Sequence, residues 1–174
     1  MEAALKLLHD DSIILKSEMD PKSVRIILGT DEQFMQISRF CNLDRDESTV
    51  LGIDRTFDLS SMYATVTVFK QLDLVRATTH DHPIILGPIL LSSDATEETY
   101  RYFLSQIKWK LKNMELKGIM LNDQSFVLGS DQEKALVNAM KSVFPEAKRF
   151  VCVYHISKNI REKLRKFSVN NSKY

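Results

Sequence analysis

Two aspartates end apolar runs where a charge has little structural use. Asp54 closes Val50-Leu-Gly-Ile53, and Thr56 and Phe57 carry the extended pattern on. Asp131 closes a second stretch of the same design, Ser125-Phe-Val-Leu-Gly-Ser130. An unpaired carboxylate inside a buried strand is costly to desolvate, so each acid belongs where its strand leaves the core, beside a cation, a metal or water. If the two strands are parallel neighbours, the acids meet at one edge of a sheet. There they repel unless a proton or a divalent cation sits between them. Hard carboxylate oxygens suit Mg²⁺ or Mn²⁺. Two such ions, about 3.5–4 Å apart, can activate a nucleophile and stabilise the leaving oxygen of a phosphoryl transfer. The plainer reading of Asp54 is a strand-end acid that caps a neighbouring loop. Asp123 is a rival strand-end acid, which a turn before the next apolar run also explains.

The elements that must position this pair follow from periodicity. Residues 24–28 read as a strand ended by Gly29. Thr30 then reads as a helix N-cap, with Gln33 at the capping-box position, and Phe34, Ile37 and Cys41 share one face of a helix of about ten residues. Residues 49–57 form the first strand of the main sheet. Residues 62–69, β-branched and aromatic, form the second and pair with it as an antiparallel hairpin. Residues 83–91 form a third strand, in which Pro88 predicts an edge or a bulge. The longest helix spans about 94–113, with Tyr100, Phe103, Leu104, Ile107, Leu111 and Met114 on one face. A fourth strand near 126–128, a helix over about 132–144 stopped by Pro145, a fifth strand at 149–154 and a basic helix over 156–167 complete the order. Three consecutive strands followed by alternating helices and strands predict a mixed five-stranded sheet flanked by helices, with its first strand central. Residues 1–48 form a short α/β N-terminal extension and 49–174 the core. Helical spacing assigns Trp109 and the Tyr100/Tyr102/Phe103 cluster to the core, against base stacking. His80-x-His82, beside Pro83, reads as a turn against a metal site.

Composition bounds the answer. The chain has 174 residues, 44% hydrophobic and 27% charged, enough for one domain with a core of useful size. Cys41 and Cys152 make no disulfide framework and fit a reducing compartment. No apolar run approaches a membrane span, and the N-terminus lacks a signal-peptide pattern. The net charge of +1 implies no partner, but its distribution is uneven: from Lys148 to Tyr174 eight basic residues face one acid, Glu162. That end suits phosphate contacts, and equally a solvated helix face. Neither G-x-G-x-x-G nor a Walker A pattern supports an unrelated enzyme that binds a phosphorylated small molecule.

An ordered set of motifs then becomes specific. Gly52-Ile-Asp54-Arg-Thr-Phe57 is followed by His82-Pro-Ile-Ile-Leu-Gly-Pro88, and then by Gly129-Ser-Asp131-Gln-Glu-Lys-Ala-Leu136. Val143-Phe-Pro-Glu-Ala147 and Cys152-Val-Tyr-His155-Ile-Ser-Lys-Asn159 complete the set. Over about residues 24–164 the chain resembles the catalytic core of Mutator-like element (MULE-type) transposases. The resemblance implies a ribonuclease H-like fold and a DDE carboxylate triad that catalyses metal-dependent DNA phosphodiester cleavage and strand transfer. Asp54 and Asp131 would be the first two catalytic, metal-binding acids, for two Mg²⁺ or Mn²⁺ ions. Cys152 and His155 would support the site, against the alternative of a buried cysteine and a hydrogen-bonded histidine at a strand end. Two ligands do not complete a structural zinc site. Lys158, Arg161, Lys163 and Arg165 would contact phosphates. Gln132 departs from a common Gly, which alters the turn. The family's third acid lies beyond a helical insertion, and the chain is expected to stop as that insertion begins. Of the acids after Asp131 (Glu133, Glu146 and Glu162), Glu162 falls on the helix that opens it. The implied partners are transposon ends, target DNA and a second copy of the chain, with no membrane, and the implied compartment is the nucleus. The alternative is a catalytically inactive, truncated or domesticated remnant that serves as a DNA- or protein-binding module.

Overall fold

The computed structural model describes residues 14–20, 23–43, 47–59, 61–115, 123–152, 156–157, 160–161 and 164–165. The chain forms β1 (Ile14–Asp20), β2 (Ser23–Leu28), α1 (Asp31–Phe40), β3 (Leu51–Leu59), β4 (Met62–Lys70) and β5 (Ile84–Ser92). Then follow α2 (Glu97–Glu115), β6 (Val127–Ser130), α3 (Lys134–Val143) and β7 (Lys148–Val151). Residues 156–157, 160–161 and 164–165 are helical. Local chemistry sets several of these bounds. At the start of α1 the Thr30 side chain accepts from the Gln33 backbone N–H, and the Gln33 side chain accepts from the Thr30 N–H. This is the reciprocal capping box expected from the sequence.

Among the described residues seven strands join one open mixed sheet, in the order β1-β2-β5-β4-β3-β6-β7. β3, β4 and β5 form an antiparallel meander, and β6 and β7 add in parallel beyond β3. The five-strand expectation is therefore corrected. The strands of the N-terminal segment extend the same sheet, because β2 pairs antiparallel with β5 from Arg25↔Ser92 to Leu28↔Ile89. An apolar strand such as β5 leaves its N–H and C=O groups unpaired unless another strand covers them. The bulge expected at Pro88 is present: register shifts between Val66 and Val68 of β4, and the Thr67 hydroxyl donates to the Pro88 carbonyl at 2.8 Å.

Alternation along β3 decides which face does what. Leu51 and Ile53 are buried in the core with Phe34 and Ile37 of α1, Phe103, Leu104 and Ile107 of α2, and Leu136 and Met140 of α3. Helices α1, α2 and α3 thus cover the Leu51/Ile53 face. Gly52 and Asp54 belong to the other face, with Val68 and Val66 opposite them on β4.

One assignment to the core is corrected. Tyr100 and Phe103 are fully buried and Tyr102 is partly so, but Trp109 is 62% exposed. It lies outside the i, i+3, i+4, i+7 stripe that Tyr100, Phe103, Leu104, Ile107 and Leu111 define on α2. The histidine loop is a turn, as expected. The Gln71 N–H donates to the Pro83 carbonyl, His80 takes a φ of 56°, and His82 Nδ1 lies 2.8 Å from the Leu74 carbonyl.

Candidate active site

β3 and β6 run parallel, with Leu51↔Leu128, Gly52↔Gly129 and Ile53↔Ser130 in register. Asp54 and Asp131 follow directly on that last pair, on neighbouring strands about 4.8 Å apart. Asp131 stands just past the end of β6, but the strand-end position expected of Asp54 is corrected: Asp54 lies inside β3, which runs on to Leu59 because β4 still pairs with it, at Val66. β7 continues the row, because Ser130 pairs with Val151 and the Cys152 N–H donates to the Ser130 carbonyl at 2.9 Å. Asp54, Asp131 and Cys152 therefore stand in one line across three parallel strands.

All three residues line a single groove of about 380 Å³, together with Val50, Gly52, Val68, Gly129 and Phe150. The paired glycines Gly52 and Gly129 make its floor, and the valines and Phe150, itself 54% exposed, rise beside them. A Cβ on Gly129 would lie 2.7 Å from Val50 Cγ1, closer than packed carbons approach. Gly129→Ala is accordingly expected to destabilise the fold by about 1 kcal/mol through overpacking, read as a lowered midpoint in urea, and to narrow the groove.

The two acids differ in their surroundings. Asp131 Oδ1 accepts from the Glu133 backbone N–H at 2.9 Å, which fixes the turn leading into α3. Asp54 is half-buried, and its side chain makes no hydrogen bond or ion pair among the described residues. A capping role for Asp54 has no contact to support it. Among the described residues no group of three or more His, Cys, Asp or Glu could hold a metal ion.

The other site residues divide. Cys152 is a free thiol in the groove, while Cys41 is buried, which pushes its thiol far up, out of the reactive range. Arg161 is exposed on a helical segment, as is Arg165. His155, Lys158, Lys163 and Glu162 lie outside the described residues. Glu146 is exposed in the turn after α3. Glu133 accepts from the Tyr100 hydroxyl and faces Arg55, away from the groove. Sequence reasoning missed this Glu133–Tyr100–Arg55 cluster. Its three members lie on three elements, and only the position of Arg55 and Glu133 next to the two acids hinted at it.

Fold and site together define a mixed-sheet α/β protein with two carboxylates side by side, directly after the last paired residues of two adjacent parallel strands. A family model, the MULE transposase domain, matches residues 50–159. The chain belongs to the MULE transposase family. No curated protein and no solved structure matches it.

Proposed function

We propose that the chain supplies the ribonuclease H-like core of a DDE-type transposase, which cleaves DNA phosphodiesters and transfers strands. The order of the core strands β5-β4-β3-β6-β7, with β3 central, supports that fold reading. The observation that carries the functional reading is the convergence of Asp54 and Asp131, register-matched on parallel strands, in one groove.

The donor set fits divalent ions. Two hard carboxylates face one groove, and one of them has no hydrogen-bond or ion-pair partner among the described residues. Two adjacent anions left so repel unless a proton or a cation sits between them. Asp54 and Asp131 would hold Mg²⁺ or Mn²⁺ through their side-chain oxygens. When bound, such ions supply Lewis-acid stabilisation of phosphate charge and a more acidic water. The protein's own part is placement. Pairing of β3 with β4 at Val66 orients Asp54, and the turn after β6 holds Asp131 by the Glu133 N–H. Basic residues of the C-terminal segment, Arg161 and Arg165 with Lys158 and Lys163, would bind the DNA phosphates. Cys152 would support the same row, with His155 beyond it. DNA at transposon ends and targets is the proposed substrate, and the nucleus the proposed compartment. A division into residues 1–48 and a core of 49–174 would leave the acids wholly within the core.

Calorimetric titration with Mn²⁺ tests this reading, on the native chain and on Asp54→Asn and Asp131→Asn. Saturable binding that both substitutions weaken is expected. Binding that is absent, or indifferent to both, would leave the fold without a metal site and favour a DNA- or protein-binding remnant.

A further inference from the structure

Behind the acid pair, on the helix-covered face, lies a second polar cluster that the reaction does not use directly. Arg55 follows Asp54 in sequence and so lies on the opposite face of β3, with Thr65 as its register partner. Its Nη1 lies 3.7 Å from Glu133 Oε1, and its guanidinium sits 5.3 Å from the ring centroid of Tyr63. The Glu133 carboxylate also accepts from the Tyr100 hydroxyl, at 3.1 and 3.2 Å to its two oxygens. Tyr100 is fully buried on α2 and gives that end of the cluster a rigid anchor. The Glu133 main chain meanwhile donates to Asp131 Oδ1. One residue therefore grips Asp131 with its backbone, and β3 and α2 with its side chain.

We infer that Arg55 and Glu133 are positioning residues: their ion pair, anchored by Tyr100, ties β3, past its last pair with β6, to the turn that carries Asp131 and sets the spacing of the two acids. The inference rests on the metal-site reading above. The physical need for a tie is plain, since two carboxylates side by side just past the last β3–β6 pair push the two backbones apart there. β6 is only four residues long and stops at Ser130, so the sheet ladder ends before Asp131. The ion pair spans that gap. Its side chains are 39% and 20% exposed, so solvent screens it only in part. Neither Arg55 nor Glu133 lines the groove, which leaves position and electric field as their two routes to the acids.

Those two routes predict different signs. If only the field acts, removing the Arg55 charge tightens binding of a cation, removing the Glu133 charge weakens it, and removing both cancels. If the pair positions the acids, Arg55→Gln, Glu133→Gln and the double variant all weaken Mn²⁺ binding by a similar factor. That factor is about tenfold, the lower range for residues that orient metal ligands. Tyr100→Phe removes one hydroxyl and no charge, keeps the packed ring, and is expected to weaken Mn²⁺ binding about threefold, below that range. Arg55→Lys keeps the charge and should recover part of the loss.

The experiment is Mn²⁺ calorimetry on the full chain, with thermal unfolding of each variant in metal-free buffer. Equal weakening in the two single variants and the double variant, with Tyr100→Phe also weakened and still cooperatively folded, is the expected result. Opposite signs for Arg55→Gln and Glu133→Gln, or native affinity in Tyr100→Phe, would overturn the inference while Asp54→Asn still abolished binding. Native affinity in Asp54→Asn would instead remove the metal site itself, and the inference with it.

Discussion

Phe103→Ala is expected to lower the stability of the fold by about 3–5 kcal/mol, the usual cost of deleting a large buried aromatic ring. For a chain of this size that corresponds to a fall in melting temperature of roughly 6–20 °C, at about 2–4 °C per kcal/mol. Phe103 is fully buried, and it shares one core cluster with Tyr100, Leu104 and Ile107 on its own helix and with Leu51, Ile53 and Leu90 of the sheet. Removing it leaves a cavity at the seam between α2 and the sheet. Trp109 on the same helix is the control. It is the larger side chain, yet it stands in solvent, so Trp109→Ala should change stability by no more than about 0.5 kcal/mol. Thermal unfolding of both variants decides the point. A larger loss at Trp109 than at Phe103 would mean that α2 docks by its other face.

Asp94→Ala is expected to cost about 2 kcal/mol, within the range for hydrogen bonds to a charged group. The carboxylate of Asp94 gathers the start of α2 and the start of β2 into one junction. It accepts from the Thr96 N–H at 3.1 Å, from the Thr96 and Thr99 hydroxyls at 2.9 and 2.5 Å, and from the Ser23 hydroxyl at 3.3 Å. Thr99 in turn accepts from Arg25 Nε. Partial burial pushes the Asp94 carboxyl up, but hydrogen bonds from Thr99, Thr96 and Ser23 outweigh that and hold it below the ordinary carboxyl range. A carboxyl whose pKa is lowered by folding contributes stability in its charged form. That contribution is complete above the unfolded value, near pH 4, and drains away as pH falls through the lowered folded value. The difference in melting temperature between native protein and Asp94→Ala should therefore be constant above about pH 5 and shrink on acidification below pH 4. A difference that grew on acidification would show that the charged carboxylate is not the form the junction favours.

The legible parts of the fold were those in which one local rule acted alone. Thr30 and Gln33 announced their cap because both partners lie within four residues. The bulge at Pro88 followed from the missing N–H. The two acids stood out because Asp54 and Asp131 each break an apolar run two residues after a glycine, although only Asp131 stands at a strand end. The glycines themselves carried a second message that spacing did not reveal. Gly52 and Gly129 face each other in register, and together they hollow the groove below the acids. The ordered motifs from Gly52 to Asn159 were equally readable, and they agree with the family match over residues 50–159.

What the chain determined by itself was the inventory: which segments form strands and helices, where the charges sit, and which two carboxylates have no structural excuse. Tertiary structure decided the adjacencies. Pairing of β2 with β5 turned five strands into seven, because strand edges are satisfied by whichever strand is near, and nearness is not written in periodicity. Rotation of α2 about its axis put Trp109 outside and Phe103 inside, since a helix buries only one stripe. Strand alternation sent Asp54 into the groove and its neighbour Arg55 to the opposite face, where Glu133 and Tyr100 arrive from other elements. Contacts of that kind join residues 33 and 78 positions apart, and only the packed sheet brings them within reach.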